Sequence, residues 1–165
     1  GRLDILVNNA FQDPSSSSKE VSDALDRGAK FYELPLSVWD DMHDVGLRSH
    51  YVASYYAAPL MLASAAERKG PGDRPLICMT SSFGAVSYLF TTAYGVGKTG
   101  SDRLVRDLQV ELGPQGIDCI SAWPGLVLTE KVLDLYKTNP SRIDRVTGGQ
   151  DPYRVGESPV LTGRV

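Results

Sequence analysis

The chain has 165 residues and a mass of 17.9 kDa, the length of one domain. Seventeen basic and twenty acidic side chains leave a net charge of −3 with no lopsided tail, which excludes a general nucleic-acid binder and a polybasic membrane-surface protein. Hydrophobic residues at 42% and charged residues at 22% are globular proportions, and no apolar run nears the roughly 18–20 residues that span a bilayer.

Leu3-Asp4-Ile5-Leu6-Val7 is a short apolar run that reads as a strand buried on both faces, a strand that wants neighbours on both sides. A polar stretch follows from Gln12, with a serine run from Ser15 to Ser18. It reads as mobile, solvated loop with one short helical turn, within a variable segment over 12–36. Ser37 with Asp40 resembles a capping box at a helix start. From there Val38, Met42, Val45, Val52, Tyr56, Leu60 and Ala63 recur every three to four residues, with a gap at Ser49, as one long amphipathic helix ending near Lys69-Gly70. Gly70-Pro71-Gly72-Asp73 is a turn, and Pro75 to Thr80 a second strand. A second helix spans Ala93 to Leu112, with Leu104, Leu108 and Leu112 on one face, and Gly113-Pro114 stops it. The third strand, Ile117 to Trp123, ends at Pro124-Gly125. The tail over 138–157 is polar loop, and Ser158-Pro159 reads as the start of another helix. Strand and helix alternate as in an α/β protein with a parallel sheet. Both ends of the chain look cut, with no neighbour before the first strand and an unfinished helix at the back.

Cys78 and Cys119 are too few for a disulfide framework and too far apart for a metal knuckle. Both read as buried free thiols, which points to a reducing, intracellular compartment. No basic-then-apolar signal segment opens the chain. His43 and His50 have no acidic or Cys partner at ligand spacing, so structural or surface roles are expected and no metal site. Tyr51, Tyr55 and Tyr56 cluster on the long helix as core or subunit-interface residues.

Gly95-Val96-Gly97-Lys98-Thr99-Gly100 matches GxGxxG and the tail of a P-loop, which leaves a nucleotide-phosphate binder as an alternative. Thr92 stands where a P-loop needs its first Gly, and the segment before it is no buried strand. Packing explains the glycines better: each costs roughly 1 kcal/mol in a helix and is tolerated where something must come close.

Tyr94 and Lys98 lie four residues apart, on one face of a helix. An ammonium about 4 Å from the phenol, at an effective dielectric near 20, favours phenolate by roughly 4 kcal/mol. That is about three pKa units, enough to bring a tyrosine towards neutrality as a general acid–base group. Ser81, thirteen residues earlier, ends the second strand at the edge where parallel sheets bind ligands. The first strand ends there in Asn8-Asn9-Ala10 and the third in Pro124-Gly125-Leu126-Val127-Leu128-Thr129.

With NNA after a strand, a serine before YxxxK and PGxVxT after the third strand, the chain resembles the short-chain dehydrogenase/reductase (SDR) family, as a single partial domain over 1–165. Trp39-Asp40-Asp41, Val45 to Tyr51 and Tyr94 to Lys98 resemble the branch called dehydrogenase/reductase SDR family member one. The resemblance implies a partial Rossmann-type, doubly wound parallel sheet and hydride transfer between NADP or NAD, NADP ahead, and a small carbonyl or alcohol. It implies Tyr94 as the acid–base residue, Lys98 as its pKa-lowering partner on the nicotinamide ribose, and Ser81 as the carbonyl anchor, with Ser82 one residue away as the alternative. Asn8 and Ala10 would flank the adenosine ribose. Pro124, Gly125 and Val127 would line the nicotinamide, with Thr129 near its carboxamide or phosphate. It further implies a homodimer or homotetramer through the two long helices, and a cytoplasmic setting with endoplasmic-reticulum association as the alternative. Two departures stand out. Gly46 replaces an Asn that completes a proton relay in many members, so water or another group serves or turnover changes. The family's TGxxxGxG turn and first three strands are not in this sequence, so the isolated chain should show little activity. A non-catalytic relative that keeps the fold for interaction is a further alternative.

Overall fold

The computed structural model describes residues 1–68, 70, 73–125, 127, 129–138, 140 and 160–162. Three apolar runs form parallel strands, β1 (Ile5–Asn8), β2 (Leu76–Thr80) and β3 (Asp118–Trp123), in the order β1-β2-β3. Ile5 pairs with Leu76, and Leu76 in turn with Asp118, so the three carboxyl ends come out at one edge. A short β4 (Val160–Thr162) adds antiparallel to β3, with Trp123 opposite Val160. The helix expected to begin at Ser158-Pro159 is therefore not continued over 160–162; the pairing partner on β3 takes those residues as strand. Ser158, Pro159 and the expected 138–157 loop beyond Pro140 lie outside the described residues, as do Pro71 and Gly72 of the expected turn.

The polar stretch is more ordered than its composition suggests. After a 3-10 turn at Pro14–Ser16, an eight-residue helix α1 (Lys19–Asp26) starts on Ser18, whose hydroxyl accepts from Val21 N at 3.2 Å. Val21 is buried, and Leu25 packs beside it against Val38, Met42, Ala93 and Tyr94. One capped turn and two well-spaced apolar residues suffice once a second core stands ready to receive them. The Ser37–Asp40 capping box does not form. Ser37 is already the first residue of α2 (Ser37–His43), and the helix opens on backbone bonds from Val38 N to Pro35 O and Trp39 N to Leu36 O.

The long helix is interrupted. Asp44–Arg48 is a π-turn between α2 and α3 (Ser49–Ala66). Its wider turn shifts the phase of α3 relative to α2. The buried stripe becomes His50, Ser54, Ala57, Met61 and Ser64, while Tyr56 of the expected stripe is 72% exposed. Polar residues can lie inward because each has a partner there: Ser64 Oγ accepts from Leu3 N at 3.0 Å and Ser54 Oγ from Asn8 Nδ2 at 3.0 Å. Tyr51, Tyr55 and Tyr56 are all exposed, so the core reading of that cluster does not hold.

The main core lies between one sheet face and two helices, α3 and α4 (Thr92–Leu112). Met61, Ile77, Met79 and Ile117 are fully buried, each side chain contributing roughly 1.5–3 kcal/mol. Leu104, Leu108 and Leu112 pack against them from α4. β1 is not covered on both sides: Leu6 and Asn8 face the helices, whereas Ile5 and Val7 are each 59% exposed on the opposite face. Gly116, in the left-handed region at φ 88°, turns the chain from α4 into β3. Helix α5 (Glu130–Thr138) follows β3. Among the described residues no helix is long and apolar enough to cross a membrane.

Candidate active site

At the carboxyl end of β2 the chain leaves Thr80 through Ser81 and Ser82 into a 3-10 turn, Phe83–Ala85. It returns to Thr91, whose hydroxyl caps α4 by accepting from Tyr94 N at 3.1 Å. That cap sets the phase of the helix. Tyr94 and Lys98 then project from its first two turns toward the strand ends, 7% and 9% exposed. Gly84 backs the Tyr94 ring so closely that a Cβ there would fall 2.9 Å from Cδ1 and nearer still to Cε1.

The phenol oxygen of Tyr94 lies 2.7 Å from the Ser82 hydroxyl, not from that of Ser81. Ser81 is buried, and its Oγ donates to the Lys98 carbonyl at 3.3 Å. The two hydroxyls divide because successive residues in extended backbone point to opposite sides. Lys98 Nζ donates to the Thr80 carbonyl at 3.0 Å and sits 5.7 Å from the Tyr94 ring centroid. Phe11 and Phe90 present their rings edge-to-face to Tyr94, with centroids 5.7 and 5.0 Å away, and Nζ lies 5.2 Å over Phe11. Phe90 holds the left-handed region at φ 59°, a strained conformation for a bulky residue. A cavity of about 10 Å³, lined in part by Gly46, Gly97, Tyr94 and Lys98, has room for one water-sized group.

The electrostatics differ from the sequence expectation. Burial pushes the Tyr94 phenol above the ordinary tyrosine value, and the opposing pull comes from the Ser82 hydroxyl. Lys98 does not draw it towards neutrality, because Nζ is turned onto Thr80 rather than onto the phenol oxygen. Burial also lowers the ammonium itself to about 8, against the charge of Asp102 one turn further along α4. Asp102 is held in place by the Ser121 hydroxyl at 2.5 Å and the Trp123 indole at 3.3 Å.

Asn8 is buried as a tie: its amide donates to Ser54 Oγ and, at 3.5 Å, to the His50 carbonyl. The Ala10 carbonyl accepts from His50 Nε2 at 3.0 Å. Pro124 and Gly125 leave β3 at the same edge, with Gly125 at φ 74°. Val127 is exposed, and Thr129 Oγ1 accepts from Val132 N at the start of α5; Leu126 and Leu128 lie outside the described residues. Gly95 to Gly100 sit inside α4, with the Gly95 amide already spent on the Thr91 carbonyl. They therefore form no phosphate-cradling loop, which removes the nucleotide-phosphate reading. Gly100 instead admits Leu47, whose Cδ2 would lie 2.9 Å from an added Cβ. Cys119 is buried and Cys78 half-buried, both free. Among the described residues no three His, Cys, Asp or Glu side chains gather as metal ligands.

Sequence reasoning missed Phe11, Phe90 and Asp102, and gave His50 only a structural or surface role. Only Asp102 had a signal, its place four residues beyond Lys98 on the same helix face.

A family model for short chain dehydrogenase matches residues 1–139. Mouse dehydrogenase/reductase SDR family member 1 is 37% identical over 165 residues, covering 99% of this chain and 48% of that protein. Its human counterpart is 42% identical over 130 residues, covering 79% and 37%. The chain thus spans about half or less of the length of these curated relatives. Among solved structures, the Pseudomonas aeruginosa RhlG/NADP active-site complex superposes with a TM-score of 0.70 at 22% identity, covering 94% of this chain and 57% of that one. With a partial Rossmann-like fold and this match along most of its length, the chain belongs to the short-chain dehydrogenase/reductase family.

Proposed function

We propose that this chain carries the proton-transferring centre of an NAD(P)-dependent oxidoreductase that interconverts a small carbonyl compound and its alcohol. The observation that carries the reading is the Tyr94 phenol at hydrogen-bond distance from a serine hydroxyl, with a buried ammonium behind it. The residues fit a nicotinamide cofactor. Lys98 spends one donor on Thr80 and keeps others for ribose hydroxyls, and Pro124, Gly125, Val127 and Thr129 leave β3 at the same sheet edge as Asn8 and Ala10. When bound, that cofactor supplies or accepts the hydride at the carbonyl carbon.

The Ser82 hydroxyl, already paired with the phenol, can hold a carbonyl oxygen in the same hydrogen-bonding position, while Ser81 supports the turn from beneath. Tyr94 gives its proton to that oxygen in reduction and takes it back in oxidation. Burial keeps the phenol protonated, the form reduction requires. For the Lys98 ammonium to stabilise the phenolate left behind, Nζ must turn from the Thr80 carbonyl toward the phenol oxygen. The water-sized cavity at Gly46 replaces the Asn of many relatives with room for a proton-carrying water. NADP is favoured over NAD, as in the RhlG complex. The outward faces of α3 and α4, with Tyr51, Tyr55, Tyr56 and Val96 exposed, suit a homodimer or homotetramer. Because the chain spans about half or less of the length of its curated relatives, the isolated 165 residues should show little turnover.

Tyr94→Phe tests the reading. It removes one oxygen and should lower carbonyl reduction by several orders of magnitude with an unchanged circular dichroism spectrum. Near-normal turnover in the variant would remove the mechanism, whereas a parent with no turnover to lose would support the non-catalytic relative.

A further inference from the structure

We propose that His50 is a positioning residue of this site: by tying the Ala10 carbonyl to α3 it holds the Phe11 ring against Tyr94 and Lys98. β1 ends its ladder at Asn8, so the next residues need another anchor. Three bonds supply one: Asn8 Nδ2 to Ser54 Oγ at 3.0 Å, Asn8 Nδ2 to the His50 carbonyl at 3.5 Å, and His50 Nε2 to the Ala10 carbonyl at 3.0 Å. Phe11 comes directly after Ala10. It is 41% exposed, so burial does not fix its ring, yet that ring meets both the phenol and the ammonium. Its place is inherited from the backbone tie just before it.

The imidazole is built for one task. His50 is 2% exposed, and because its partner is a carbonyl, Nε2 must carry the hydrogen. Among the described residues Nδ1 then has no hydrogen-bond partner, and a buried acceptor left so needs a reason. A second proton would bury an unpaired N–H near the charge of Lys98. Burial, helped by that charge, pushes the imidazole pKa down against the upward pull of the Ala10 carbonyl, so the ring stays a neutral, fixed donor. The value of this clamp for turnover rests on the reaction proposed above; the clamp itself does not.

The test uses the protein that carries this chain, with tyrosine labelled by carbon-13 at Cζ and the Tyr94 resonance assigned by its loss in Tyr94→Phe. His50→Gln keeps an N–H near the position of Nε2, and His50→Leu keeps bulk without the donor. In His50→Leu the Phe11 ring should swing away, water should reach the phenol, and its titration midpoint should fall toward the ordinary tyrosine value. His50→Gln should titrate as the parent does. Phe11→Ala should give the same fall, and His50→Leu added to it should give no more. Turnover should drop at least tenfold in kcat with KM little changed in His50→Leu, and recover in His50→Gln. A folded His50→Leu with an unmoved phenol, or equal shifts in the Leu and Gln variants, would overturn the proposal. If His50→Leu does not fold, an unmoved phenol in Phe11→Ala overturns it alone. A phenol that moves as expected while turnover does not would support the clamp and count against the reaction.

Discussion

Gly84 offers the most direct physical test of the site, because a single methyl group placed there has nowhere to go. In Gly84→Ala the new Cβ would lie 2.9 Å from Tyr94 Cδ1, closer still to Cε1, and 3.1 Å from Ser82 Oγ. The ring cannot retreat freely, since Phe11 and Phe90 meet it at 5.7 and 5.0 Å. Overpacking of this kind costs about 1–3 kcal/mol, and a domain of this size loses about 2–4 °C in Tm per kcal/mol. A phenol displaced by roughly 1 Å from its serine partner should lower kcat by about a hundredfold. Gly46→Ala is the control for stability alone, because its cavity is where the relay water is proposed to sit. An added Cβ there meets nothing within 4 Å, and Ala is the better helix former by up to about 1 kcal/mol, so Tm should hold or rise. Thermal melts on the two variants, and carbonyl-reductase assays on Gly84→Ala and the parent, decide between these outcomes. If Gly84→Ala melted and turned over like the parent, the tight packing of glycine against phenol would be refuted.

The two serines should separate cleanly. Ser82→Ala should raise KM and lower kcat for carbonyl substrates, whereas Ser81→Ala, which loses a bond to the Lys98 carbonyl, should chiefly lower Tm. The reverse ranking would return the anchoring role to Ser81. Lys98 should leave a mark on pH stability. Its folded pKa of about 8 lies below the ordinary lysine value of 10.5, so the native state sheds its proton first and the protein should gain stability as pH rises from about 8 toward 10. Cys119, pushed up to about 11 from 9.0, pulls the opposite way above pH 9, so urea unfolding of the parent is compared with Lys98→Met at each pH. An identical pH slope in the two would show that the ammonium is not buried as described.

The strands and α4 were legible because their signals are local: three continuous apolar runs, and a helix between Thr91 and Gly113 with its leucines on one face. The Tyr94–Lys98 pair followed from helical spacing alone. The features that stayed hidden depend on neighbours. Ser81 and Ser82 are chemically alike, and only the path of the chain past Gly84 decides which hydroxyl meets the phenol. The acidity of that phenol could not be read from spacing either, since Thr80, remote in sequence, captures the ammonium. Phe11 and Phe90 reach Tyr94 from two different loops. α1 went unseen because Val21 and Leu25 make a weak periodic pattern until α2 covers them.

The π-turn at Asp44–Arg48 explains how one continuous helical rod serves two separate apolar clusters. Between Val38 and Ser54 the inward positions recur at multiples of four residues, wider than the 3.6 of an ordinary helix. Without the extra residue each turn would slip, and Val38 and Met42 would rotate out of register with His50 and Ser54. Deleting a single residue there would twist everything upstream by about 100°, turning α2 away from the phenol while leaving Met61 seated on the sheet. The bulge is in effect a gear, and the segment over 44–48 should tolerate changes of side chain far better than changes of length.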